Sequence, residues 1–290
     1  MKILASLLLL LASLMPAQAL ETITVRFPRP QPQPACSTQA ILVDNQGTLA
    51  TVYSFGVEPD KGQTEVGGKM IDLELIAHDP VSRLTLLRLP ESSGIKLELA
   101  SIGSSQNLST ADGLRAAGEL ARFAGTEKLF HGQLLPLALL RFNYQAKGVR
   151  PGEPILNAAG EVVALALEGR IGEGNTGYAL PIEVYHRVAR GKIVNQQIQR
   201  CWLGVIMDAE NTIPSLVGLR PDSPASKAGM QRDDILVSIA GRPINEYADA
   251  VNAFFYLRSG QKALVKVLRG TELLELEVIP EIVPTAQLGE

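Results

Sequence analysis

Between residues 35 and about 185 the apolar residues come in short runs, each closed by Gly, Pro, Asn or Asp, and that punctuation leaves little room for helices. Ala40 to Val43, Met70 to Ala77, Leu84 to Leu89, Gly132 to Leu140 and Val162 to Leu167 are the clearest runs. Segments of strand length, repeated this often, predict an all-β barrel or a pair of barrels. From Pro181 the pattern changes. Ile182, Val184, Tyr185, Val188, Ala189 and Ile193 are spaced for one buried face of a helix over Pro181 to Gln199. Beyond it the chain reads as α+β. Ser215 to Leu219 is a strand, Pro221 to Met230 a turn with a short helix, and Asp233 to Gly241 a strand closing in a turn. Glu246 to Leu257 aligns Tyr247, Ala250, Val251, Phe254 and Leu257 along one helical side and stops at Ser259-Gly260. Lys262 to Leu268 and Leu273 to Ile279 alternate as a hairpin about Arg269 to Glu272.

A 290-residue chain has room for two such domains, and 46% apolar with 20% charged residues excludes a disordered or fibrous protein. A net charge of −3 without any Lys/Arg cluster or interleaved aromatic patch excludes nucleic acid as a partner. Lys2, the apolar run Ile3 to Met15, and Pro16-Ala17-Gln18-Ala19 form a secretory signal peptide over 1–19, cleaved after Ala19. The run is short for a retained anchor, no cysteine stands at the cleavage point, and no other segment is long and apolar enough to span a bilayer. The expected location is periplasmic or secreted. Residues 20–34 read as a spacer, because FPRPQPQP (Phe27 to Pro34) alternates proline and stays extended. Cys36 and Cys201 would meet an oxidising compartment. A disulfide is conceivable, but nothing in the sequence brings them together, and two free thiols is the favoured reading. No metal-ligand cluster and no phosphate-cradling glycine loop occurs, so no metal or cofactor is expected.

Four segments carry a resemblance. KGVRPGEPILNAAGEVVALAL (Lys147 to Leu167) resembles the nucleophile segment of trypsin-like proteases of the HtrA (DegP) type, NPGNSGGPLVNxxGEVIG. Gly152, Pro154, Asn157, Gly160, Glu161 and Val162 match, and the nucleophilic Ser falls on Pro151. ACSTQAILVDNQGTLATVYSF (Ala35 to Phe55) resembles GSGFIIDxxGYILTNNHVV. Asp44, Gly47, Leu49 and Thr51 hold the frame, and the general-base His falls on Ser54. LIAHDPVSRLTLLRL (Leu75 to Leu89) resembles VVGxDPxxDLALLKI, with the orienting Asp on Arg83. EGNTGYALPIEV (Glu173 to Val184) is similar to GxGFAIPxxxV. The chain thus resembles a trypsin-like double β-barrel over 35–198 whose triad positions are Ser54, Arg83 and Pro151. Ser104 to Arg122 matches only loosely, with Ala111 at a usual turn glycine.

CWLGVIM (Cys201 to Met207) with DSPASKAGM and DDILVSIAGRPI resembles the PDZ domain of the same family, here over 199–284, followed by a tail 285–290. The resemblance implies a mostly-β fold, a double barrel followed by a partly open, α+β PDZ barrel. It also implies β-augmentation, in which an extended peptide pairs with a sheet edge and its end carboxylate sits on loop amides. Leu203, Gly204 and Val205 would supply the loop and the start of the edge strand. Ala250 and Phe254 would line the helix side, Phe254 competing with a plain core role.

Proline has neither a hydroxyl nor an amide hydrogen, so Pro151 removes both the nucleophile and an oxyanion donor. The three histidines, His78, His131 and His186, stand outside the base position and read as structural. The expectation is a pseudoprotease, not an enzyme, acting as a scaffold or regulator in protein quality control. Its partners would be peptide or protein C-termini and an active homologous protease. A homo-oligomer is implied too, as the family commonly forms trimers through its N-terminal region, where Phe27 would serve. The alternative is a serine endopeptidase with a rearranged site using Ser37, Ser54, Ser104 or Ser105, none of which has a visible base.

Overall fold

The computed structural model describes residues 19–30, 32–130, 132–146, 149–171, 175–211 and 213–284. The predicted signal peptide up to Gln18, His131 and the tail 285–290 lie outside them. The chain divides into two compact units. The first holds the described residues of Met1–Leu75, Leu86–Gly125 and Leu140–Ile182, and the second those of Ile76–Thr85, Thr126–Leu139 and Glu183–Glu290.

Seven strands open the chain: β1 (Ile23–Phe27), β2 (Cys36–Leu42), β3 (Thr48–Val52), β4 (Gln63–Val66), β5 (Lys69–Asp72), β6 (Glu74–His78) and β7 (Leu84–Arg88). In the first unit they pair in the order β7-β3-β2-β1-β4-β5. Val25, Phe27, Ala40, Leu49, Leu73 and Leu87 fill the interior between them. Two expectations are corrected here. Residues 23–27 of the supposed spacer are a central strand, antiparallel to β2 from Ile23↔Ala40 to Phe27↔Cys36, because the prolines begin only at Pro28 and leave the preceding amides free to pair. Phe27 is fully buried beside Tyr53, so it presents no ring for trimer contacts.

The second sheet is a closed barrel of β8 (Leu114–Ala116), β9 (Glu119–Phe130), β10 (Gln133–Tyr144), β11 (Pro154–Leu156), β12 (Val162–Ile171) and β13 (Thr176–Pro181), in the order β10-β13-β12-β11-β8-β9. Phe142, Ile155, Val163 and Ala179 fill it, with Phe123 edge-on to Phe142 at 5.8 Å. One sheet thus closes into a barrel, and the other is an open sheet with an interior of its own. β8 and β9 were not anticipated, since charged and small residues interrupt their alternation.

The helix expected over Pro181 to Gln199 is shorter. Helix α1 spans Glu183–Arg190, and β14 (Ile193–Val194) and β15 (Gln197–Ile198) follow as a hairpin. Asn195 and Gln196 take φ of 50° and 61°, the geometry of a two-residue turn, and β-branched residues flank them. Ile193, read as buried, is exposed.

In the second unit β16 (Cys201–Trp202), β17 (Val205–Met207), β18 (Leu216–Leu219), helix α2 (Pro224–Lys227), β19 (Ile235–Ile239), β20 (Arg242–Pro243), helix α3 (Tyr247–Phe255), β21 (Ala263–Arg269), β22 (Glu272–Val278) and β23 (Glu281–Ile282) complete the chain. Ser223 caps α2 by accepting the Ser226 amide at 3.2 Å. Leu203, Leu216, Met230, Leu236, Ala250, Val265 and Val278 form one interior. Asp234, fully buried, is gripped by both arms of Arg269 at 2.7 and 2.9 Å. Burial alone would raise the Asp234 pKa, but the Arg269 pairing and the Gln231 amide hold it below the usual carboxylate value. Both cysteines are free thiols, and among the described residues no helix is long and apolar enough to cross a membrane.

Candidate functional site

Two of the three positions that the resemblance assigns to a triad lie in the first unit. Ser54 follows β3 and is 2% exposed, with its hydroxyl 2.9 Å from the Cys36 thiol. Pro151 sits in the loop before β11, and its carbonyl accepts the Gln39 amide at 2.7 Å and the Thr38 hydroxyl at 2.8 Å. Thr38 lies 2.8 Å from Thr51, whose hydroxyl donates to the Gln39 carbonyl at 2.6 Å. Thr38 and Thr51 are both fully buried. Loop and strand are pressed together: a Cβ on Gly152, whose φ is 78°, would fall 1.9 Å from the Gln39 carbonyl oxygen, so only glycine fits there. The Gly152 amide donates to Ala166 and the Glu153 amide to Arg150, at 2.7 and 3.1 Å. From 151 to 153, each amide is thus either missing or already donating within the fold. Glu153 is itself a half-buried carboxyl whose pKa burial pushes up, partly offset by Arg150 and the Ala117 amide.

Arg83, the third position, belongs to the second unit. It has a φ of 60° and ends a turn in which its amide donates to the Asp79 carbonyl at 2.8 Å. The Asp79 carboxylate takes the Val81 and Ser82 amides and the Ser82 hydroxyl. It also pairs at 3.3 Å with Arg187 of α1, both side chains being almost fully buried. The Arg187 guanidinium donates to the Phe255 carbonyl at the end of α3 and lies over the Phe255 ring at 4.2 Å. Burial lowers the Arg187 pKa and Asp79 draws it back up. On the flank of α3, Lys128 reaches Asp249 and Glu246 at 2.6 and 2.8 Å, and Asn252 accepts the Ala138 amide at 3.0 Å. No local pattern in the sequence pairs Asp79 with Arg187. The available signal was a charged residue between Val184 and Val188 in the buried stripe of a helix.

The predicted peptide site is in the second unit. Leu203 is 3% exposed, so its side chain is interior and only its backbone is on offer. Its carbonyl accepts the Ala225 amide at 2.9 Å, and the Gly204 carbonyl accepts the Arg220 amide at 2.7 Å. In a trans peptide the C=O and N–H point opposite ways, so the amides of Gly204 and Val205 point away from Ala225 and Arg220, although Gly204 itself is buried. Gly204 has a φ of 79°, and a Cβ there would lie 2.2 Å from that of Ser223, so this turn requires glycine. β17 pairs antiparallel with β18 from Val205↔Leu219, and among the described residues it pairs with no other strand. Its second edge is available for augmentation. Val205 and Met207 are half-buried, and Phe254 packs on the same interior. Ala250 is fully buried one turn below Ala253 and Leu257 in the same stripe, so it is floor and not wall. The structure therefore sets the backbone of Leu203, Gly204 and Val205 at the start of β17, keeps Phe254 half-buried, and places the Ala250 side chain in the interior. Among the described residues no group of His, Cys, Asp or Glu is arranged to hold a metal.

The PDZ domain family model matches residues 202–279. Over 234 residues the chain is 27% identical to a probable periplasmic serine endoprotease, DegP-like, of Pseudomonas fluorescens, covering 73% of this chain and 48% of that protein. A protein of the same description from Chlamydia trachomatis is 24% identical over 89% of this chain and 56% of its own length. The chain thus spans about half the length of these curated relatives. Among solved structures, an HtrA-type protease, AlgW, with a tripeptide matches with a TM-score of 0.63 at 19% identity, over 94% of this chain and 97% of that one. The serine endoprotease from Yersinia pestis matches with a TM-score of 0.52 at 15% identity, over 92% and 96%. The fold is therefore HtrA-like, trypsin-type with a C-terminal PDZ domain.

Proposed function

We propose that this protein is a catalytically inactive HtrA-like scaffold or regulator, periplasmic or secreted, that binds the carboxyl termini of peptides or proteins through its PDZ domain. The observation that carries the reading is the contrast between two loops. Around Pro151 the carbonyl and the neighbouring amides are consumed by β2, Ala166 and Arg150. At Leu203 and Gly204 the carbonyls are consumed by Ala225 and Arg220, and the amides of Gly204 and Val205 point the opposite way.

Acyl transfer needs a nucleophile, a base beside it and donors aimed at the developing oxyanion. Pro151 offers no hydroxyl, and the hydroxyl of Ser54 is buried against Cys36. Each of these losses alone removes most of a triad's rate. The Gly204 and Val205 amides, by contrast, offer a carboxylate two charge-assisted hydrogen bonds beside an unpaired strand edge. The named relatives are proteases and are described as periplasmic. The location supports the reading and the activity is where this chain departs from them. An active protease with a related sequence is the partner such a regulator would serve, alone or within a homo-oligomer.

The test is incubation of the full chain with an unfolded protein such as reduced casein, and separately with a fluorescent phosphonate that labels serine nucleophiles. The reading predicts intact casein and no label. Cleavage that is lost on disrupting the barrel, or label on Ser37, Ser54, Ser104 or Ser105, would establish a rearranged endopeptidase instead.

A further inference from the structure

The same groove carries a charge pattern that selects its ligand. This deepens the proposed function and rests on it. With its carboxylate on the amides of Gly204 and Val205, a peptide lying along the free edge of β17 must run antiparallel to that strand, since its body extends toward Met207. The Gly204 carbonyl is bonded to Arg220 just ahead of the β17–β18 pair, so the Val205 amide points to the free edge; the register shift between Ile206 and Met207 places its extra residue, Val217, on β18, so alternation along β17 turns the Met207 amide the same way. The last peptide residue then lies opposite Val205 and the one two before it opposite Met207, where β17 ends, so the one three before it lies beside the turn that opens at Asp208. Residues directly opposite share a face of the pair.

The two faces differ. Val205 and Met207 are half-buried on the domain interior with Phe254, while Ile206 is 40% exposed and Asp208 is exposed. The last residue and the one two before it therefore meet an apolar surface. The residue three before the end stands over the outer face, beside the Asp208 carboxylate and the exposed Glu210 that follows it. Asp208 Oδ1 accepts the Glu210 amide at 3.0 Å, which holds the carboxylate at the mouth of this turn. A Lys or Arg there lays its methylenes over Ile206 and brings its cation to Asp208 and Glu210.

We infer that the PDZ groove selects carboxyl-terminal segments that end in an apolar residue and carry a basic residue three positions before it. An exposed charge pair of this kind discriminates by about three- to ten-fold between Lys and Glu.

The experiment is fluorescence polarisation with the full chain and dye-labelled peptides ending X-Val-Ala-Leu, with X as Lys, Ala or Glu, each with a free or an amidated C-terminus. The expected order is Lys tighter than Ala tighter than Glu among free-carboxylate peptides, compressed in 0.5 M salt and inverted in the D208K/E210K double variant. Equal binding of the three, or an order unchanged in the double variant, overturns the inference and leaves carboxylate recognition standing. Failure of every free-carboxylate peptide to bind overturns the proposed function, and this inference with it.

Discussion

At Gly152 one hydrogen in place of a methyl group decides whether the Pro151 loop can close on β2. With the would-be Cβ 1.9 Å from a backbone oxygen and φ positive, Gly152→Ala should cost about 3 kcal/mol, read as a lowered midpoint in urea unfolding. An unchanged midpoint would mean the loop is not held as described. Glu153, the next residue, gives a pH signature. Because its folded-state pKa is raised by burial, the folded chain keeps a proton that the unfolded chain has lost, so stability is highest at low pH and falls as pH climbs from about 4.5 through the folded-state value. Glu153→Gln should flatten that decline, and thermal midpoints measured from pH 4 to 7 should converge at the acid end and separate toward neutrality, with the variant higher. Parallel profiles would contradict it. On the proposed reading Ser54 and Arg83 stand at the base and orienting positions, so Pro151→Ser should show no proteolysis; casein turnover by this variant would show a base that the fold conceals.

At the scale of elements, the turn at 79–84, helix α1 and helix α3 are tied by one buried cation. Removing it leaves the buried Asp79 carboxylate without its counter-ion, held only by the Val81 and Ser82 donors, and Arg187→Gln should destabilise the chain by about 3–5 kcal/mol. Its thermal midpoint should fall well below that of an exposed control such as Lys69→Gln. Equal midpoints for the two would remove the clamp from the account. This tie also marks the limit of what sequence patterns convey. The strands at Leu84 and Val162 and the hairpin at Arg269 to Glu272 were legible because alternation and turn residues are local. The hairpin after α1 was read as helix because Ile193 fits helical spacing as well as it fits a short strand, and only the turn chemistry of Asn195-Gln196 separates the two. Strand β1 was hidden by the prolines that follow it. Arg187 was missed because its partners, Asp79 and Phe255, are remote in sequence and no local pattern reports them.

At the scale of the molecule, the trypsin-type fold and the PDZ domain followed from motif order and the structural likeness agrees. The residues that the resemblance sets at the triad positions, Ser54, Arg83 and Pro151, can be named from the sequence, since they are a matter of residue identity. The surroundings were not: that the Pro151 carbonyl would be tied to Thr38 and Gln39, or that Ala250 would be floor beneath the groove, depends on packing between distant segments. The central claim joins the two ends of the chain, in that it takes hold of carboxyl termini and does not cut what it holds. The most direct test is to mix the full chain with one dye-labelled peptide in free-carboxylate and amidated forms, follow polarisation for hours and then weigh the peptide by mass spectrometry. The account predicts that only the free-carboxylate form raises polarisation and that it is recovered at its original mass. Equal binding of the amidated form, or a shortened peptide, would contradict it.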